Sequence, residues 1–318
     1  VWIAAAAEKV LKPTAIALGN FDGIHRGHQK ILQPILSAVD RQGEKRVYPT
    51  VVSFHPHPRE FFTGEKIYLL TPITEKAKLL ERLGIEQLVL LPFNQELAFL
   101  SPQQFVAEIL VKQLQATQIS VGEDFRFGYQ RRGTVADLEA IASNFGIEVH
   151  VNSLYKCFEE GESVRISSSR IRQALEAGKV KKAKFMLGRP YTLMGTVVQG
   201  QQLGRTIGFP TANLQLPPDK FLPRYGVYSV NVAIDPTCFP TNDSPLKGVM
   251  NIGRRPTVEG SNPTVEVHLL DWSGDLYGRT LTVSLERFLR PEQKFSSLEA
   301  LKKQIAADCE AARFCRSS

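Results

Sequence analysis

The sequence predicts two folding units, a parallel α/β half followed by an antiparallel β half that closes on a helix. Three observations carry this. From Thr14 to about Leu154, short β-branched runs alternate with stretches of helical period, the pattern of a parallel sheet covered by helices. Past residue 192 the apolar period changes to two, with Gly, Pro and Asn between the runs, as in an antiparallel sheet or small barrel. The chain has 318 residues, 43% hydrophobic and 22% charged, enough for two ordinary cores.

The first-half strands read as TAIAL (14–18), RVYPTVVSF (46–54), QLVLL (87–91), QISV (118–121) and IEVHV (147–151). The helix after the first strand would carry Ile31, Leu32, Ile35, Leu36 and Val39 on one face, and Pro34 inside it should bend or shorten it. Ser101, Pro102 and Gln104 make a capped helix start, and Thr134 with Asp137 repeats the device. Two further helices, SSRIRQALEAG (168–178) and VKKAKFMLG (180–188), stop at glycines. GRPYT (188–192) reads as the linker, so the expected domains are residues 1–187 and 188–318. Second-half strands are TLMGTVVQG (192–200), GVYSVNVAI (226–234), GVMNIG (248–253), TVEVHLLD (264–271) and TLTVSLERFL (280–289). A last helix, Ser296 to about Cys309, would be capped by Ser296 with Glu299 and striped by Leu298, Leu301 and Ile305.

A formal charge of +7 and a pI near 9.2 point to anionic partners, and phosphorylated small molecules fit as well as nucleic acid. The basic residues are spread along the chain, without an arginine-rich segment or RNA-recognition motif, which argues against a nucleic-acid partner. Cys157, Cys238, Cys309 and Cys315 lack C-x-x-C spacing and read as free thiols of a reducing compartment. The expected location is cytoplasmic, or an organellar stroma if a targeting segment has been removed. No apolar run approaches the roughly 20 residues of a membrane span, so no membrane partner is expected.

The segment GNFDGIHRGH (19–28) follows the first strand and precedes a helix. Its glycines let backbone approach an anion, and a helix start offers unpaired N–H groups, so Gly19, Asn20, Phe21, Asp22 and Gly23 read as a phosphate cradle. His25 and His28 would add donors able to follow charge on a phosphoryl group. A zinc reading lacks the helical i, i+4 histidine spacing, and the plainer alternative is an ordinary turn. SFHPHP (53–58) ends the second strand with His55 and His57, on the side of a parallel sheet where ligands bind. VGEDFRFG (121–128) ends the fourth with Asp124 and Arg126 beside Phe125 and Phe127, a polar contact next to an aromatic wall. VRISSSRIR (164–172) puts Ser167, Ser168, Ser169 and Arg165 at a helix start, suited to a triphosphate, and simple capping explains only one of these serines.

GNFDGIHRGH, FHPHP, VGEDFRFG and ISSSRIR, in this order, resemble the adenylyltransferase module of bacterial-type bifunctional riboflavin kinase/FAD synthetases, within the H-x-G-H nucleotidyltransferases. The resemblance implies a Rossmann-like nucleotidyltransferase domain. It implies that His25 and His28 bind ATP phosphates and stabilise the transition state, that Arg165 and Ser168 hold phosphates, and that His57, Asp124 and Phe125 line the flavin site. Asp124 stands where many relatives carry asparagine, and a carboxylate cannot donate as an amide does.

In the second half, GRTIGFPTANL (204–214) places Thr211 and Asn213 two apart, on one side of an extended segment, where their oxygens suit Mg2+ and a nucleotide. TVEVHLLD sets Glu266 and His268 opposite Val265, Val267 and Leu269, which places Glu266 as a candidate general base; the plainer reading is an exposed strand carboxylate. Together with GVMNIGRRPTV and RFLRPEQKFSSLEALKKQIAAD, these stretches resemble the riboflavin kinase module. That resemblance implies an antiparallel β-barrel, ATP contacts at Gly204, Arg205, Thr211 and Asn213, Mg2+ at Thr211 and Asn213, proton abstraction by Glu266, and a flavin contact at Arg290. The implied substrates are riboflavin, FMN and ATP, and the products FAD, ADP and pyrophosphate; the resemblance fixes no oligomeric state. Rival readings are a kinase with a redirected first module and an RNA-binding protein.

Overall fold

The computed structural model describes all residues except 6–8, 40–45, 160–161, 201–202, 235–244, 258–259 and 315–318. The chain divides into two compact units, Val1–Ser168 and Ser169–Ser318.

The first unit is built on a six-stranded parallel sheet. In chain order its elements are β1 (Trp2–Ala4), β2 (Thr14–Leu18), α1 (Arg26–Val39), β3 (Tyr48–His55), α2 (Pro58–Thr63), α3 (Ile73–Arg82), β4 (Gln87–Pro92), α4 (Gln95–Phe99) and α5 (Pro102–Gln104). A π-helical segment (Phe105–Gln113), β5 (Ala116–Gly122), α6 (Val135–Ser143), β6 (Glu148–Asn152) and an antiparallel hairpin of β7 (Lys156–Glu159) and β8 (Glu162–Arg165) complete it. The strand order β1-β4-β3-β2-β5-β6 runs outward from β2 in both directions. A crevice therefore opens beyond the carboxyl ends of β2 and β5, the switch point where open α/β sheets bind ligands. All five residues of β2 are buried, as expected of a strand covered on both faces.

All five expected strands of this unit form, and the differences lie elsewhere. The opening WIA pairs in parallel with β4 as an edge strand, although its apolar run carries no readable alternation. The hairpin β7–β8 adds a second, two-stranded sheet that the strand pattern of the sequence does not predict. Pro34 does not shorten α1, which runs through it to Val39; Leu32 and Ile35 are buried, and the side chain of Val39 lies outside the described residues. Both expected capping boxes form, at Ser101/Gln104 and at Thr134/Asp137.

The second unit opens with α7 (Ser168–Glu176), whose first residue ends the first unit, and α8 (Val180–Leu187). Then follow β9 (Thr192–Val198), α9 (Leu203–Thr206), β10 (Ala212–Gln215), β11 (Gly226–Ile234), β12 (Leu246–Thr257), β13 (Gly260–Leu269), β14 (Thr280–Arg290) and α10 (Leu298–Arg313). The six strands close into a barrel, β10-β13-β12-β11-β14-β9, with antiparallel neighbours, so no strand edge is left open. Tyr228, Val230, Met250, Ile252, Val267 and Leu285 are buried. On the opposite strand faces Val227 and Val249 pack with Cys309, Ala312 and Ile305 of α10.

Thus the junction expected at 187/188 lies after α8, whereas the contact division falls before most of α7. GRPYT is not a free linker: Tyr191 is buried and its hydroxyl donates to the Phe221 carbonyl at 2.6 Å. The terminal helix is capped by Ser297, not Ser296; Ser297 accepts from Ala300 N, and the helix continues past Cys309 to Arg313. Cys309 is a free, buried thiol, and burial pushes its pKa up. Cys238, Cys315 and the side chain of Cys157 lie outside the described residues.

Candidate functional site

The loop after β2 is held in an unusual backbone. Phe21 and Ile24 have φ of 47° and 40° and are fully buried, and Gly23 has φ of 86°. Left-handed geometry at bulky residues is costly, and it persists only where surrounding contacts enforce it. Here the Asp22 carboxylate accepts from the backbone N–H groups of Leu70 and Thr71 at 3.2 and 3.0 Å, and Gly23 N–H donates to the Thr71 hydroxyl at 2.9 Å. Lys76, itself buried, donates to the Asn20 carbonyl at 2.7 Å. Asp22 thus anchors the cradle from below, and the segment 70–76, which carries no recognisable motif, supplies the anchors.

The fixed loop places two imidazoles. The rings of His25 and His28 stack with centroids 3.6 Å apart, and Phe21 lies 5.1 Å from the His28 ring. His28 N–H donates to His25 Nδ1 at 3.2 Å, which leaves Nε2 to carry the proton of a neutral His25 ring. His25 is buried, with 6% of its surface exposed. His57 is tied to the same loop, its Nε2 2.9 Å from the Asn20 amide, while its Nδ1 accepts from Arg59 N–H and caps α2. His55 ends β3 with an exposed side chain, so three of the four histidines are linked through the loop.

One further segment bonds to this loop, and an ion pair forms between the residues that follow β5 and end β8. Ser168, the last residue of the first unit, donates its hydroxyl proton to the Asp22 carbonyl of the cradle at 2.8 Å. Arg165, at the end of β8, lies 2.5 Å from Asp124, which follows β5. Phe125 stacks on Phe127 at 5.8 Å, and Phe127 belongs to the core. Near His57, at the ends of β3 and β4, Phe54, Phe61, Phe62 and Phe93 form a cluster with centroids 5.3 to 5.7 Å apart, and Phe62 is 69% exposed. No local sequence pattern marks this cluster, because its members come from separate elements.

In the second unit, barrel register does the assembling. Cα partners run Arg290–Val227–Asn251–Glu266–Asn213 across β14, β11, β12, β13 and β10. A cavity of about 340 Å³ lies against this row, lined among others by Gly204, Thr211, Asn251, Glu266, Arg290 and Asp308. Arg290 grips Asp308 of α10 with Nε and Nη2 at 2.8 to 3.1 Å, and both side chains are largely buried. Thr211, just before β10, and Asn213 within it are half-buried and alternate with buried Ala212 and Leu214. The chain crosses close over them: a Cβ at Gly204 would lie 2.3 Å from the Phe209 carbonyl and 3.2 Å from Thr211 Oγ1, and one at Gly200 would overlap the Asn213 amide. Arg205 and Thr211 also line a neighbouring cavity of about 280 Å³ with Trp272 and Tyr277. No local pattern marks Asn251, Asp308 or Trp272: register brings in Asn251, the terminal helix Asp308, and the turn after β13 Trp272.

Asn213 pairs in register with Glu266 and Thr211 lines the same cavity as Glu266, and their hard oxygen donors fit Mg2+ shared with nucleotide phosphates. Among the described residues no group of three or more His, Cys, Asp and Glu is placed to hold a metal unaided. Nor is any described helix long and apolar enough to cross a membrane.

Comparison with known proteins matches both halves. The FAD synthetase family model covers residues 7–170 and the riboflavin kinase model residues 187–315. The chain is 42% identical over 295 residues to the bifunctional riboflavin kinase/FMN adenylyltransferase of Escherichia coli K12, covering 92% of this chain and 90% of that protein. It is 43% identical to the protein of that name from Pseudomonas fluorescens, covering 93% and 91%, and 34% identical to that of Bacillus subtilis, covering 93% and 90%. A crystal structure described as a macrolide-efflux protein from Streptococcus pneumoniae superposes with a TM-score of 0.82 at 32% identity, covering 98% of both chains. With the cradle in one unit and the carboxylate-bearing cavity in the other, the chain belongs to the bifunctional riboflavin kinase/FMN adenylyltransferase family.

Proposed function

We propose that the second unit phosphorylates riboflavin with ATP to give FMN and ADP, and that the first transfers the adenylyl group of ATP to FMN, giving FAD and pyrophosphate. The observation that carries this reading is the pairing, in one chain, of the stacked His25/His28 loop at a sheet switch point with a barrel cavity that gathers Glu266, Thr211 and Arg290.

In the kinase unit the ribityl hydroxyl attacks the γ-phosphorus of ATP, Glu266 takes its proton, and ADP leaves. Gly204 and Arg205 approach the phosphates, and Thr211 and Asn213 would hold Mg2+, which would supply neutralisation of phosphate charge. Arg290, fixed by Asp308, encloses the flavin under α10. Positioning and charge neutralisation supply most of such catalysis, so one general base suffices.

In the adenylyltransferase unit a phosphate oxygen of FMN attacks the α-phosphorus and pyrophosphate leaves. His25 and His28 donate to the phosphoryl oxygens as charge grows there, and the cradle from Gly19 to Gly23 offers its backbone. Because the Ser168 proton is committed to Asp22, Ser168 serves by bracing the cradle, and Ser167 beside it and Arg165 receive the phosphates. His57, Phe125 and the exposed Phe61/Phe62/Phe93 cluster give the planar ring an aromatic wall. A cytoplasmic setting and small-molecule partners alone belong to the same reading.

The test is a time course with riboflavin, ATP and Mg2+, separating flavins by chromatography. FMN followed by FAD is the expected outcome, and FMN without FAD overturns the assignment of the first unit.

A further inference from the structure

We propose that Asp124 is an exchangeable counter-ion for Arg165, holding the guanidinium at the cradle between turnovers and yielding it to the phosphates of ATP and pyrophosphate. This rests on the reading that Arg165 receives phosphate in the first unit.

Arg165 and Asp124 come from different elements of the first unit. Arg165 ends β8 three residues before Ser168, whose hydroxyl is bonded to the Asp22 carbonyl of the cradle. Asp124 leaves β5, and a Cβ at Gly122 would lie 3.2 Å from its Oδ1 and 3.5 Å from Ile31 Cδ1, which sets the carboxylate beside α1 one turn past His28. Arg165 Nη2 and Asp124 Oδ2 are 2.5 Å apart, and among the described residues each is the other's only hydrogen-bonded side-chain partner. The two side chains are 46% and 48% exposed. Water competes for an ion pair this open, so it is weak, and a guanidinium fork gains more from two oxygens of a multiply charged phosphate.

A carboxylate at this point does two opposed things. It stops the long Arg165 side chain from sampling solvent, and it repels the phosphates that need Arg165. Asp124 therefore sets nucleotide and pyrophosphate affinity by competition, and it favours pyrophosphate departure by retaking the guanidinium.

The experiment compares Asp124→Asn, Asp124→Glu and Arg165→Ala in the full-length chain, measuring KM for ATP and inhibition by pyrophosphate in FAD formation from supplied FMN. Riboflavin phosphorylation by the same preparations reports that the chain is folded. Asp124→Asn should lower both the ATP KM and the pyrophosphate inhibition constant by up to about fivefold, the factor corresponding to the upper range for exposed pairs, and the gain should shrink in high salt. Asp124→Glu, which keeps the charge, should move the ATP KM and the pyrophosphate inhibition constant less than Asp124→Asn does. Arg165→Ala should raise both constants. If Arg165→Ala weakens ATP binding while Asp124→Asn changes neither constant, or if the Glu variant behaves as the Asn variant, the counter-ion role is overturned alone. If Arg165→Ala leaves ATP binding unchanged, the phosphate reading of Arg165 falls and the counter-ion role with it.

Discussion

Glu266 and His28 separate the two chemistries residue by residue. Glu266 faces a cavity in the barrel unit, with Asn213 and Asn251 beside it in register. Glu266→Gln keeps the shape and removes the base, so FMN formation should fall by about a hundredfold or more, the usual worth of a general base, while FAD formation from supplied FMN persists. Flavin chromatography of the two half-reactions checks this. His28→Ala removes one of the two stacked rings and should do the reverse, lowering adenylyl transfer by about a hundredfold and leaving kinase turnover unchanged. Both side chains were readable from local sequence, Glu266 by strand alternation and His28 by its place in a strand-to-helix turn. Thr71 and Lys76 were not, because they act on the cradle from a segment about fifty residues further along the chain.

Element boundaries follow capping and register. At α6 the Thr134 hydroxyl and backbone N–H donate to Asp137, and Asp137 N–H donates to the Thr134 hydroxyl. Thr134→Ala should destabilise the first unit by about 1 kcal/mol, read from denaturant midpoints. The hydrogen bond from Thr134 holds the Asp137 carboxyl below its ordinary value. A carboxyl depressed on folding contributes stability that is present above about pH 4 and lost as pH falls through the folded value, so the penalty of Asp137→Asn should shrink in acid. At α10 the opposite end of the chain is pinned by Arg290 and Asp308, whose side chains are only 17% and 6% exposed. Asp308→Ala leaves a buried guanidinium unpaired and should cost about 3 kcal/mol in the second unit, with a raised KM for riboflavin; calorimetry and kinase assays read the two effects. The misplaced cap at Ser296 shows the limit of local pattern: adjacent serines satisfy it equally, and only the path of the chain selects Ser297.

Across the whole molecule, two chemistries share one chain, and FMN is the product of one and the substrate of the other. A mixture of Glu266→Gln and His28→Ala chains should therefore make FAD from riboflavin after a lag, since FMN released by one chain can bind the other; each variant alone should not. The sequence by itself determined the parallel and antiparallel halves, most of their elements and the chemistry-bearing residues, because apolar period, caps and Gly-rich turns are properties of neighbouring residues. Tertiary structure alone decided how those residues meet. Barrel closure aligned Arg290, Asn251, Glu266 and Asn213 from four separate stretches of chain, and the cradle acquired its strained backbone from Thr71 and its exchangeable partner pair from β5 and β8. Strand order and hairpin placement depend on packing between segments far apart in the chain, and no local pattern encodes them.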